Sequence, residues 1–199
     1  MTATGSVPHD LRVSQVQDGQ PTMNEPHSSP LTSPPPAGLR VAAVIATWFG
    51  AGLLPRAPGT WGTLAAVPFA WVLGQLGQGA FLAALLVVTV VGSWAADVYC
   101  RATGRHDNQH IVVDEVAGYL LTLALSPRTP LYLLLGFAFF RLFDITKPPP
   151  VRWIDRHVQG GFGVVADDLG AGVYSALVLY LLERAGAIAT LARLFGTNA

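Results

Sequence analysis

The chain has 199 residues, of which 51% are hydrophobic and only 12% charged, with a mean hydropathy of +0.44. A soluble domain normally has about twice that charged fraction, so the apolar content must fill either a large core or a bilayer. Twelve basic residues balance twelve acidic ones, leaving no electrostatic footprint for nucleic acid, and the lone Cys100 excludes an intramolecular disulfide and a multi-cysteine zinc site.

Residues 1–39 differ in kind from the rest. "HSSPLTSPPPAG" and the polar residues before it have too little apolar content to fold, so this Pro/Ser-rich segment is expected to be a disordered tail or an over-extended start. It has neither the basic start nor the apolar run of a signal peptide. From Arg40 onward the text becomes apolar segments punctuated by Gly, Pro and charge clusters. Five stand out, at 63–76, 79–96, 111–125, 131–143 and 170–182, and a shorter amphipathic helix is expected over 185–195. Ala and Leu dominate many of them and strict alternation is rare, so helix is favoured over strand. The expected fold is therefore all-α, a single compact multi-helix bundle over 40–199. Only "GAFLAALLVVTVVGSWAA" approaches the roughly 20 apolar residues that a bilayer crossing needs. A membrane-associated bundle of short hydrophobic helices is favoured over a purely buried one.

Eight of the twelve acidic residues fall between Asp97 and Asp168, in clusters. Buried carboxylates are normally paired or metal-bound, and ionisable groups within a bilayer point to function. Taken in chain order, "GAGLLPRAPGTWGTLAAVPFAW" has a Pro58–Gly59 turn, with Thr60 or Thr63 able to cap the next helix. Exposed amides there, with Arg56 nearby, suit an anion, although an ordinary turn and cap explain the segment as well. In "GRHDNQHIVVDEVAGYLLTL", Asp107 lies in a polar loop that also holds His106 and His110. Asp114 and Glu115 open an apolar helix, where they complement its dipole or offer hard oxygen ligands to Mg²⁺.

"FFRLFDITKPPPVRWID" gathers rare charges among large apolar neighbours, including Lys147, the only lysine in the chain. Arg141, Asp144 and Lys147 at i, i+3 and i+6 share one side of a helix. Pro148 should end that helix, and three prolines in a row predict an extended rod before Arg152 and Asp155. In "VQGGFGVVADDLGAG" the GxGxxA pattern lacks the preceding strand a dinucleotide fold requires. The segment reads as a glycine loop feeding Asp167 and Asp168 at a helix start, one as an N-cap and the other available to a metal. P-loop, cysteine-phosphatase, aspartyl-phosphate, acid-phosphatase and CDP-alcohol transferase signatures are all missing. A carboxylate-rich, metal-dependent phosphate site is what remains.

Four blocks, "GAGLLPRAPGTWGTLAA", "HDNQHIVVDEVAGY", "FFRLFDITKPPPVRWID" and "GGFGVVADDLGAGVYSA", resemble those of the phosphatidylglycerophosphatase A family in order and spacing. With their spacers they span nearly all of 43–182. FRxFDxxKPxPxRxxD and GGxGxxxDDxxAG are long and compositionally rare; Pro149, often aromatic in the family, and the long tail are the departures. The resemblance implies an all-helical, Mg²⁺-dependent lipid phosphatase of the bacterial inner membrane. It would convert phosphatidylglycerophosphate to phosphatidylglycerol from the cytosolic side. Its implied metal ligands are Asp114, Glu115, Asp144 and Asp168, with Asp167 as an alternate and Asp107 and Asp155 as second choices, as ligands or as groups that orient them. Arg141, Lys147 and Arg56 would neutralise the phosphate, with Thr60, Arg152 and Asp155 as further substrate contacts. In-line attack by water is expected, with a carboxylate accepting the proton. A phosphatase for another lipid phosphomonoester, or a small membrane protein using its carboxylates as an ion or proton relay, are the competing readings.

Overall fold

The computed structural model describes residues 1–2, 36–104 and 108–195. Among these there are eight α-helices and one 3₁₀ turn and no strand, as the Ala/Leu-rich segments predict. The helices lie within the unit Pro35–Ala199. They are α1 (Ala37–Ala46), α2 (Pro58–Gln75), α3 (Gln78–Thr103), α4 (Val113–Thr122), α5 (Pro130–Thr146), α6 (Val151–His157), α7 (Gly160–Arg184) and α8 (Ala187–Phe195). Two of them depart from the sequence reading at their starts. Residues 37–39, assigned to the tail by composition, begin α1. The glycines 160–163, expected as a loop, form the first turn of α7, so Asp167 and Asp168 lie two turns inside a helix and neither is an N-cap.

Burial explains the arrangement. α4 is apolar on almost every side, and a helix of that composition must be enclosed. Val113, Val116, Ala117, Tyr119 and Leu120 are all buried, and α4 is surrounded by α2, α3, α5 and α7. At ten residues it is about 15 Å long, too short to cross a bilayer. Gln78 Nε2 donates to the Ala124 carbonyl (2.7 Å), which places the start of α3 beside the end of α4. At the opposite end, a Cβ on Gly161 would strike Ser93 and Asp97, so α7 starts beside the last third of α3. α4 therefore runs antiparallel to α3 and parallel to α7.

α3 and α7 are long and apolar enough to cross a membrane. Their outward faces are apolar rather than polar. Leu82, Leu86, Val87, Val90, Val91 and Trp94 are exposed along one side of α3, and Val173, Leu177, Tyr180 and Leu181 along α7. A contiguous apolar surface of that length is unusual on a water-soluble monomer.

The prolines after α5 do not form the predicted rod. Lys147 ends the helix in the left-handed region (φ 42°), and Pro149–Pro150 make a turn that leads directly into α6. With φ fixed near −65°, proline suits the start of a helix as well as an extended strand. Here the first option prevails because the buried Val151 anchors α6 beneath α7.

Candidate active site

A cavity of about 340 Å³ opens at the end of the bundle where α2 and α7 begin, α4 begins and α5 ends. It is lined by Asp114, Glu115, Arg141, Asp144, Lys147, Asp155, Asp167 and Asp168, so eight of the twelve residues predicted for the site converge. Arg56, Thr60 and Arg152 do not join them. Arg56 sits exposed in a left-handed conformation, and Arg152 Nη2 donates to the Thr146 carbonyl at 3.3 Å. Asp107, with His106, lies outside the described residues. Neither Thr60 nor Thr63 caps α2, whose N-cap is Ala57; Thr63 bonds back to the Gly59 carbonyl instead. The turn at Ala57–Gly59 does border the cavity, as an anion-binding helix start should.

Three carboxylates form the floor. Asp114 and Glu115 come from the first turn of α4 and Asp168 from the face of α7 packed against it. One oxygen from each lies within 4.8 Å of the other two. A close approach of backbones makes this possible. A Cβ on Gly118 would overlap the Asp168 carbonyl and the Phe140 ring, and one on Gly172 would overlap the Gly118 carbonyl. Asp114 Oδ1 accepts from the Glu115 amide at 3.0 Å, whereas Glu115 Oε2 is buried with no hydrogen-bond partner. Burial first, then the neighbouring Glu115, pushes the Asp114 carboxyl well above its ordinary range. Burial also pushes Glu115 up to about 8; Asp168 and Asp144 add to this, while Asp114 and Arg141 oppose it. Acids this crowded are stable as anions only beside a cation. Hard oxygen donors, three converging groups and an unsatisfied buried oxygen suit Mg²⁺.

Two basic groups frame this floor differently. Arg141 Nη1 lies 2.6 Å from Asp144 Oδ2 and 3.9 Å from Glu115 Oε1. The close contact lacks hydrogen-bond alignment, and both Nε and Nη1 are buried without a hydrogen-bond partner. Lys147 Nζ donates at 2.6 Å to both Asp155 Oδ1 and Asp167 Oδ2. Burial alone would depress this ammonium, but the two carboxylates hold its pKa above the ordinary lysine value.

The sequence reading missed two contributors. Asn108 is buried at the rim, its Oδ1 accepting from the His110 amide at 3.2 Å. The signal was available, as an amide side chain just before the apolar run Ile111–Val113. Gly59 lies so close that a Cβ there would overlap Glu115 Oε1 and sit 3.2 Å from Arg141 Nη1. Gly59→Ala is therefore expected to lower activity at least about tenfold by displacing Glu115, with the thermal midpoint near wild type. Unchanged phosphate release would show that Glu115 moves aside at no cost. His110, another loop candidate, places Nδ1 3.0 Å from the Gly52 carbonyl. Asp97 pairs with Arg101 at 2.7 Å, away from the cavity.

The phosphatidylglycerophosphatase A family model matches residues 44–183, a stretch that contains every element lining the cavity. The chain belongs to the phosphatidylglycerophosphatase A family. It is accordingly a phosphatase. It is 38% identical over 140 residues to phosphatidylglycerophosphatase A of Escherichia coli K12, covering 70% of this chain and 81% of that protein. The corresponding Haemophilus influenzae protein is 36% identical over 142 residues, covering 70% of this chain and 87% of its own length. A Bacteroides thetaiotaomicron protein named putative phosphatidylinositol-3-phosphatase is 39% identical over 150 residues, covering 68% of this chain and 89% of that protein. No solved structure matches the chain. Membership of this phosphatidylglycerophosphatase family accounts for the shared order of the four charged blocks, since each supplies one wall of the cavity.

Proposed function

We propose that the chain hydrolyses the terminal phosphate of phosphatidylglycerophosphate, giving phosphatidylglycerol and inorganic phosphate. The observation behind this reading is the convergence of a carboxylate triad with a buried arginine whose Nε has no hydrogen-bond partner, in a family of lipid phosphatases. A cavity of about 340 Å³ admits a glycerol phosphate but not diacyl chains, which would remain among the apolar faces of the bundle.

Asp114, Glu115 and Asp168 are the groups that would hold Mg²⁺. The chemistry a bound Mg²⁺ supplies is charge neutralisation at the phosphoryl oxygens and a more acidic water. Arg141 would take phosphoryl oxygens along the Nε/Nη2 edge of its planar fork, with Nη1 left to Asp144. Asp144, held against Arg141 and beside the triad, would accept the proton of the water attacking in line. At the start of α2, where Pro58 has no N–H and the Thr60 and Trp61 amides bond the Ala57 carbonyl, the Gly59 amide would bind a phosphate oxygen. Exposed arginines lie at both ends, Arg56, Arg101, Arg152 and Arg156 at this one and Arg40, Arg184 and Arg193 towards the other. The placement of the site on the cytosolic side of a bacterial inner membrane is therefore part of the proposal and rests on the family reading rather than on charge.

The test is phosphate release from phosphatidylglycerophosphate in mixed micelles, with and without EDTA and with Mg²⁺ restored. Activity is expected to fall to background with chelator and to return with Mg²⁺. Chelator-resistant turnover would refute the metal assignment, and no turnover on any lipid monophosphate would refute the substrate class. The name of the Bacteroides relative makes phosphatidylinositol 3-phosphate the second substrate to include, and a preference for it would transfer the reading to inositol lipids.

A further inference from the structure

The six carboxylates around the cavity are not equivalent. Asp114, Glu115 and Asp168 converge on one point. Asp144 is held by Arg141. Asp155 and Asp167 are both occupied by Lys147, at 2.6 Å each. We infer that Lys147 is a resident cation rather than a phosphate ligand: its ammonium occupies the place of a second divalent ion, and the site takes one.

The geometry behind this is local. Lys147 follows the last turn of α5 in a left-handed conformation, with its amide bonded to the Phe143 carbonyl at 2.9 Å. From there Nζ reaches Asp155 on α6 and Asp167 on α7 together. An ammonium suits this position because it is a compact point charge with three donors, whereas a guanidinium presents a wide planar fork. That accounts for the sole lysine in a chain that otherwise uses eleven arginines for its cations. Two-metal hydrolases place their ions about 3.5–4 Å apart on shared carboxylates. Here the second carboxylate pair already has its counter-ion. Adjacent residues on a helix point about 100° apart, so Asp167 faces Lys147 while Asp168 faces α4. Lys147 keeps that division by holding Asp167 out of the triad. It acts on the reaction through its neighbours and is a positioning residue.

The inference rests on the metal reading above, and the measurement separates the two. Mn²⁺ binding to the detergent-solubilised full chain is followed by electron paramagnetic resonance, beside lipid kinetics. Wild type is expected to bind one ion. Lys147→Met should bind two, because the vacated Asp155 and Asp167 gain a divalent counter-ion, and Lys147→Met/Asp167→Asn should return to one. The kcat of Lys147→Met should fall about tenfold or more, with KM for lipid within about twofold. Two ions in wild type would overturn the inference even if Lys147→Met failed to fold. So would one ion in folded Lys147→Met, or a KM increase at constant kcat, the mark of a direct phosphate contact. No ion in wild type would overturn the metal reading itself.

Discussion

Asp168→Asn is expected to lower kcat by on the order of 10²-fold or more, about 3 kcal/mol of transition-state stabilisation, with the fold intact. Asp168 is only 4% exposed, lies two turns inside α7, and faces the first turn of α4 across a close helix contact. Asparagine fills the same volume, so packing at Gly118 and Gly172 is preserved. What disappears is one of three anionic oxygens lying within 4.8 Å of each other. Because the replaced charge sits in a crowd of like charges, the apo protein should unfold at the same temperature as wild type or slightly higher. Asp114→Asn should behave in the same way. Phosphate release and thermal unfolding on the same preparations decide the matter. Rates within about threefold of wild type at unchanged stability would make these carboxylates structural.

The competing reading of the acids as an ion or proton relay predicts carboxylates strung along the helices. Six of the eight acids in the described helices instead surround one cavity at one end. Asp97 pairs with Arg101, Glu183 alone lies at the far end of α7, and the described length of α3 beyond Asp97 towards Gln78 has none. A relay would also leave Arg141 and Lys147 without purpose, since fixed cations raise the barrier to proton or cation passage.

The site was legible because charge is scarce in this chain. In a sequence with so few charged residues, clusters beside glycine and proline stand out, and eight of the twelve predicted residues meet in the cavity. The errors have physical causes. Gly160–Gly163 suggested a loop because glycine disfavours helix. Packing overrides that preference, since only residues without a side chain let α7 pass Ser93, Asp97 and Val158 so closely. Arg56 and Thr60 share a motif with Gly59, yet a single left-handed residue pair, Arg56–Ala57, turns the chain so that the glycine faces the cavity and the arginine faces outward. Asp155, predicted to contact substrate, does line the cavity, where it accepts from Lys147. Spacing along the chain reports which residues share a helix face, but it does not report which cation each carboxylate chooses. That choice depends on the turn after α5, where three prolines were read as an extended spacer.

Arg141→Lys separates the two basic groups most directly. It is expected to lose about 10²-fold in kcat/KM although the positive charge remains. The guanidinium is only 16% exposed, sits beside Asp144 and Glu115, and has both Nε and Nη1 buried without hydrogen bonds. Leaving buried donors unsatisfied costs on the order of 1–3 kcal/mol each. Nη1 has Asp144 at 2.6 Å as its counter-ion, so Nε is the donor left for a ligand's acceptor. A phosphoryl group offers two oxygens to the Nε/Nη2 edge while Nη1 stays on Asp144, and lysine cannot serve both partners with a single point charge. Stability should change by no more than about 1 kcal/mol, because lysine still neutralises Asp144. Vanadate or inorganic phosphate, as a competitive ligand, should lose affinity in parallel with the rate. A variant with wild-type kcat/KM would mean that charge alone suffices at this position. Equal losses for Arg141→Lys and Arg141→Gln, with phosphate affinity unchanged, would place Arg141 as a brace for Asp144 and shift the task of binding phosphate to the Gly59 amide.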